Sequence, residues 1–234
     1  MPVIFNLPTV VFLLYVLLVT PLFSWLGFLR VKSSKPLASK VARFRGSVFY
    51  LVTVTLFAII AADSNHLHIP LRVSVVDLIF IAIVASYLGY FGSLGVRKRC
   101  SPQMQRNRIL YAPKTQQELR WALTAGVCAG IGEEIIYRYV LFELIYRFCS
   151  SVVIAVVVCV VTFAQSHMTQ GIKGVIAVGY LGLVFHVLFL TTHTLAVPMG
   201  VHVIYDVVIF TTWYVKEKQM AQPVSDSRTV GQSA

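Results

Sequence analysis

Residues 119–146 read LRWALTAGVCAGIGEEIIYRYVLFELIY. The flanks are apolar enough for a bilayer, yet Glu133, Glu134 and Arg138 stand together in the middle. Stretches of about 17–25 mostly apolar residues read as transmembrane helices. Next comes Val152–His167, almost all Val, Ile and Ala until it closes on Phe163-Ala-Gln-Ser-His167. Outward from this pair lie five more apolar stretches, Leu7–Leu29, Ser47–Ala62, Val73–Leu94, Val175–Thr191 and Leu195–Val215. The fold expected is all-α, a polytopic membrane helix bundle of about seven transmembrane helices. Three regions follow: a three-helix membrane region over 1–115, a charged helical core over 116–215, and a polar tail over 216–234 that the composition predicts to be disordered.

Composition supports the membrane. The chain of 234 residues is 57% hydrophobic and 12% charged, with a mean hydropathy of +0.77. A soluble domain of this size could not cover so much apolar surface, whereas lipid solvates it. The first stretch reads as a retained helix, because no Lys or Arg precedes it and no small-x-small cleavage site closes it. Cys100, Cys128, Cys149 and Cys159 lack metal or redox spacing and read as packing residues.

The net charge of +11 reflects topology and not a nucleic-acid partner. Arg30, Lys32, Lys35, Lys40, Arg43 and Arg45 crowd the first loop; Arg97, Lys98, Arg99, Arg106, Arg108, Lys114 and Arg120 crowd the third. The second loop, with Asp63, His66, His68 and Arg72, is nearly neutral. Basic loops stay cytoplasmic, which places the amino terminus outside and the carboxyl terminus, with Lys216 and Lys218, inside. The bilayer itself, including its anionic headgroups, is then a partner.

Only nine residues are acidic, so their placement matters. A charge at mid-bilayer costs roughly 2.5–3.5 kcal/mol on the insertion scale, so two adjacent carboxylates need partners or a protein interior. Arg138 follows Glu134 by four residues and shares its helix face, whereas Glu133 points about 100° away. His202-Val-Ile-Tyr-Asp206 in the last stretch has the same i, i+4 spacing. If the chain turns near Phe148–Ser151, Glu133 and His167 both lie about 22–24 Å from the turn and are level. Glu133, Glu134, Arg138, His167, His202 and Asp206 can therefore converge in one intramembrane pocket. Glu143 with Arg147 reads as an interfacial ion pair, Asp77 as interfacial, and His186 and His193 as single residues outside the site. Gly130 and Gly132, and Gly179 with Gly182, read as places of close helix approach.

In this set three carboxylates outnumber the one guanidinium, so a low-dielectric site will hold a proton on a carboxyl or an imidazole. A carboxylate beside an imidazole is the equipment for activating water. There is no nucleophile elbow and no HExxH; a metal held by scattered His, Glu and Asp stays open, and no cofactor is implied.

Glu133-Glu134-Ile-Ile-Tyr-Arg138, Phe163-Ala-Gln-Ser-His167 and His202-Val-Ile-Tyr-Asp206, in this order, resemble the motifs of the CAAX protease and bacteriocin-processing family, also called the Abi family. Its pattern is Glu-Glu-x-x-x-Arg, then Phe-x-x-x-His, then His-x-x-x-Asn/Asp. The resemblance spans Trp121 to Phe210 and makes 116–215 a catalytic helix core. It implies a glutamate-type intramembrane endopeptidase acting on a peptide or protein, lipidated or not, in a multi-pass integral membrane protein of the plasma membrane if the source is prokaryotic. By matched position, Glu133 with His167 would activate water, Glu134 and Arg138 would organise the site, and His202 with the residue four on would stabilise the oxyanion. That last position is Asp206, where prenyl-protein proteases have Asn. A carboxylate cannot donate to an oxyanion unless protonated, so Asp206 is either held neutral or orients His202. Two other functions compete: a non-catalytic immunity or scaffold protein binding peptides in the same cavity, and a proton-coupled carrier, against which stands the lack of an inverted repeat.

Overall fold

The computed structural model describes residues 3, 5–33, 37–97 and 102–221. Lys35, Lys98, Arg99, Cys100 and the tail beyond Ala221 lie outside the described residues, as does the side chain of Arg97. Among the described residues there are eight helices and no strand. Helix α1 is Leu7–Lys32, with a π-helical turn at Tyr15–Val19. Helix α2 is Lys40–Ser64, α3 is Val75–Arg97 and α4 is Pro102–Tyr111. Helix α5 runs from Gln116–Glu133 through a π-helical Glu134–Leu141 into Phe142–Cys149. Helix α6 is Val152–Ser166, α7 is Ile172–Thr192 and α8 is Ala196–Ala221.

The helices start where short polar side chains satisfy otherwise unpaired amides. Asn6 accepts from Thr9 N at 3.1 Å, Ser39 from Ala42 N at 3.2 Å, Thr115 from Glu118 N at 3.1 Å and Ser151 from Ile154 N at 3.3 Å. Ser150, left-handed at φ 54°, makes the reversal between α5 and α6, which lies inside the expected turn at Phe148–Ser151.

The molecule is built as a lipid-embedded one. Phe49 is 75% exposed and Val153 72%, while the charged side chains of Glu134 and Arg138 are fully buried. Polar residues inside and large apolar residues outside are what a hydrocarbon solvent demands. Each of the seven expected stretches lies on a helix: α1, α2, α3, α5, α6, α7 and α8. Four of these, α1, α2, α7 and α8, are long and apolar enough to cross a membrane by themselves. Among the described residues, α5 and α6 fall short for separate reasons. Helix α5 is interrupted by its charged residues. The 15 residues of α6 rise about 22 Å against a hydrocarbon core of about 30 Å.

Two expectations are corrected. The basic residues assigned to the first loop largely sit on helix ends: Arg30 and Lys32 in the last turn of α1, and Lys40, Arg43 and Arg45 in the first turns of α2. The tail is not wholly irregular either, because α8 continues to Ala221. Glu217, on that continuation, accepts from Arg108 Nε of α4 and lies 4.0 Å from Lys114 Nζ. At the same end, Lys40 Nζ donates to Ala112 O and Arg43 Nη2 to Leu110 O, both at 2.6 Å. Cations thus neutralise the carboxyl end of α4. The start of α2, α4 and the end of α8 gather into one basic end of the bundle. In the core, α5 packs between α2 and α8, α3 lies on α8, and α6 lies on α7.

Candidate active site

Glycine sets the distance between α5 and α8. A Cβ at Gly130 would stand 2.7 Å from Val203 N and 3.0 Å from Val203 Cα; one at Gly126 would stand 3.0 Å from Asp206 Cβ. The two glycines are four residues apart on one face of α5 and bring it onto the backbone of α8 beside His202. Gly130 was read from the sequence as a close-approach position, and so was Gly182, where a Cβ would meet Phe163 Cδ1 at 2.8 Å. Gly179 sits at an ordinary 3.4 Å from Ala164 Cβ. Gly126 was missed, although its spacing to Gly130 was legible.

The close approach lets Glu134 reach across. Glu134 Oε1 accepts from His202 Nδ1 at 2.7 Å, and Glu134 Oε2 lies 3.2 Å from Arg138 Nε. The i, i+4 pair thus meets as its spacing predicts, even though the backbone there is π-helical. Single π-type turns of this kind are frequent at functional sites. The Arg138 guanidinium is held over the faces of Phe163 at 4.1 Å and Phe185 at 5.3 Å. Among the described residues its three nitrogens have no well-aligned hydrogen-bond acceptor. Carboxylate charge and ring quadrupoles therefore carry most of its stabilisation.

Glu133 turns away from this pair, as its 100° offset requires. Its Oε2 is 3.9 Å from His202 Nε2, and Asp206 Oδ2 is also 3.9 Å from that nitrogen. His202 is therefore fastened through Nδ1 by Glu134. Its other nitrogen faces the gap between Glu133 and Asp206, without a direct hydrogen bond to either. The hydrogen bond to His202 is made by Glu134, and Asp206 makes none to it.

His167 is placed by the end of α6. Its Nδ1 lies 2.9 Å from Phe163 O and 3.0 Å from Ser166 Oγ, and its ring packs edge-on to Phe163 at 4.9 Å. A carbonyl can only accept, so the Nδ1 proton goes to Phe163 O, and in the neutral ring Nε2 is then the acceptor. Ser24 of α1 clips this corner from outside the motifs. Its Oγ donates to Ser166 O at 2.7 Å and accepts from Met168 N at 3.1 Å.

A cavity of about 470 Å³ brings Glu133, His167, His202 and Asp206 together, walled by Phe163, Phe185, Phe210 and Trp213. Glu134 and Arg138 stand behind this wall. Tyr111 of α4 also lines the cavity and donates to Thr169 Oγ1 at 2.7 Å. Burial pushes the Tyr111 phenol above its ordinary range. Sequence reasoning missed Tyr111, Ser24, Phe185, Phe210 and Trp213, because none stands in a motif. His186 and the Glu143–Arg147 pair, at 3.8 Å, are not among the residues lining this cavity. Asp77 caps the start of α3, accepting from Ser74 N at 2.8 Å. Among the described residues no three His, Cys, Asp or Glu side chains gather as metal ligands would.

Residues 115–208 match the model of the family described as Type II CAAX prenyl endopeptidase Rce1-like. The match begins at the cap of α5 and ends just past Asp206, so it contains all six motif residues and leaves out α1 to α4. The chain is thus similar to that family over the stretch that carries the three motifs. No curated protein and no solved structure matches the chain.

Proposed function

We propose, taking the Rce1-like character of residues 115–208 as the premise, that this protein is a glutamate-type intramembrane endopeptidase. It hydrolyses a peptide bond near the C-terminus, or near the membrane-embedded end, of a protein or peptide. The observation that carries this reading is the division of labour between the adjacent glutamates. Glu134 is buried and spent on His202 and Arg138, while Glu133 is left facing the cavity together with His167.

In the proposed reaction Glu133 takes a proton from a water held by the His167 Nε2 lone pair. The water oxygen attacks the carbonyl carbon of the scissile bond. The oxyanion forms beside His202 Nε2, which donates to it when the ring carries both protons, the charge being balanced by Glu134. The proton on Glu133 then passes to the leaving amine as the C–N bond breaks. Asp206 adds negative charge beside the imidazolium. The aromatic walls give an apolar segment, lipidated or not, a dry place to lie. The reaction as written uses no metal and no cofactor, and its proposed setting is a membrane that the chain crosses several times.

The test uses the full chain in detergent with fluorogenic carboxyl-terminal peptides, prenylated and unprenylated. Glu133→Gln and His167→Ala are each expected to lower kcat by about 10²–10⁴ with the helical content unchanged, and a chelator is expected to leave the rate alone. Loss of activity to chelator would replace this mechanism by a metal-dependent one. Wild-type rates in Glu133→Gln would remove the glutamate from it. Folded protein that binds the peptides without cutting them would make the chain a scaffold.

A further inference from the structure

Glu133 and His167 line a second cavity, of about 280 Å³, on the side away from His202. Among the described residues these two are the ones the two cavities share. The larger cavity is lined mainly by aromatic and aliphatic side chains, whereas the smaller sets the hydroxyls of Thr20, Ser24, Ser47, Tyr50, Ser166 and Thr169 among Phe23, Leu51, Ile136 and Tyr137. Four of these belong to α1 and α2, outside the stretch that matches the protease family.

The hydrogen bonds of those hydroxyls say what the chamber suits. Thr20 donates to Tyr15 O at 3.0 Å, so Tyr50, 2.5 Å away, donates to Thr20. Ser24 donates to Ser166 O, Ser166 to Phe163 O at 2.7 Å, and Ser47 to Arg43 O at 3.1 Å. With most of their protons spent on protein carbonyls, these hydroxyls present mainly acceptor lone pairs. A peptide strand would leave its own carbonyls without donors there, whereas water can turn its two protons to the walls. At about 30 Å³ per water the chamber has room for several. Of its lining residues Phe23 and Ser47 are exposed, and Ser47 lies one turn from Arg43 at the basic end of the bundle.

We infer that this chamber is a separate water reservoir, which delivers the attacking water to Glu133 and His167 from α1 and α2 while the substrate fills the aromatic cavity. The inference rests on the proposed hydrolysis. An apolar segment in the larger cavity expels water from that side, so the nucleophile has to arrive from the other. The two cavities then feed opposite faces of one Glu–His wall.

The chamber can be tested without catalysis. Tyr50→Cys, on its wall, and Val52→Cys, on the lipid-facing side of α2, are each labelled in proteoliposomes with a charged thiol reagent, over the baseline of the unsubstituted chain. Tyr50→Cys is expected to react at least about tenfold faster, and a saturating uncleavable carboxyl-terminal peptide is expected to leave that rate unchanged. Equal rates would overturn the reservoir. Protection by the peptide would overturn it in favour of a substrate subsite. Ser47→Phe, which narrows the chamber on its exposed Ser47 side, gives a second measurement: kcat falls several-fold and KM stays within about twofold. A raised KM with unchanged kcat counts against the inference. A chain that labels as expected yet cuts nothing would leave a water-filled chamber and overturn both the protease reading and the delivery of a nucleophile from it.

Discussion

Replacing Gly130 by alanine should disable the site while leaving the bundle folded. The new Cβ would stand 2.7 Å from Val203 N and 3.0 Å from Val203 Cα, both backbone atoms that no rotamer change can move. Restoring the 3.4 Å of ordinary contact requires α5 and α8 to part by about 0.7 Å, and a misplacement of about 1 Å costs on the order of 10²-fold in rate. The separation falls directly on the 2.7 Å bond between Glu134 and His202. Stability moves less: overpacking costs about 1–3 kcal/mol, offset by up to about 1 kcal/mol from the better helix propensity of alanine. We expect Gly130→Ala to keep its helical circular dichroism, to melt within a few degrees of wild type, and to lose about 10²-fold in peptide cleavage. Gly179→Ala, whose Cβ meets Ala164 at 3.4 Å, serves as the neutral control. Adding Val203→Ala to Gly130→Ala removes the clash with Cγ2 but not those with N and Cα, so activity should stay low. A folded Gly130→Ala with wild-type activity, or full rescue by Val203→Ala, would refute the argument from backbone contact.

Three further outcomes follow from the same geometry. Arg138→Ala leaves the fully buried Glu134 carboxylate with only His202 as partner; we expect a loss of about 3–5 kcal/mol in thermal or denaturant unfolding, and Glu134→Gln combined with Arg138→Met should cost less than the two single changes added. Ser24→Ala deletes the bond to Ser166 O and orphans Met168 N, for about 1 kcal/mol of stability. Because it loosens the turn carrying His167, kcat should fall several-fold with KM unchanged, as steady-state kinetics will show. Glu217→Ala frees Arg108 and Lys114, so the last turn of α8, 216–221, should exchange its amides markedly faster in hydrogen–deuterium exchange, with cleavage unaffected.

What the sequence determined by itself is local. Apolar runs exposed the helices, because lipid leaves no other way to satisfy a backbone. The i, i+4 spacings of Glu134 with Arg138 and His202 with Asp206 put those pairs on common faces, and the rise per residue set Glu133 level with His167. Charge counting likewise brought the basic segments to one end, without showing that they lie on helix ends. Tertiary structure decided everything that depends on which face meets which. Glu134 and not Asp206 fastens His202, across 68 residues of chain. Ser24 clips the His167 corner from 142 residues away. The hydroxyls of α1 and α2 reach the site although nothing in their own stretches marks them, since a Ser or Thr in an apolar helix looks the same whether it back-bonds its own carbonyl or walls a chamber. Helix α8 outruns its apolar stretch because Glu217 finds Arg108 on another helix. Periodicity describes one helix at a time, whereas a site between helices exists only once their contacts are made.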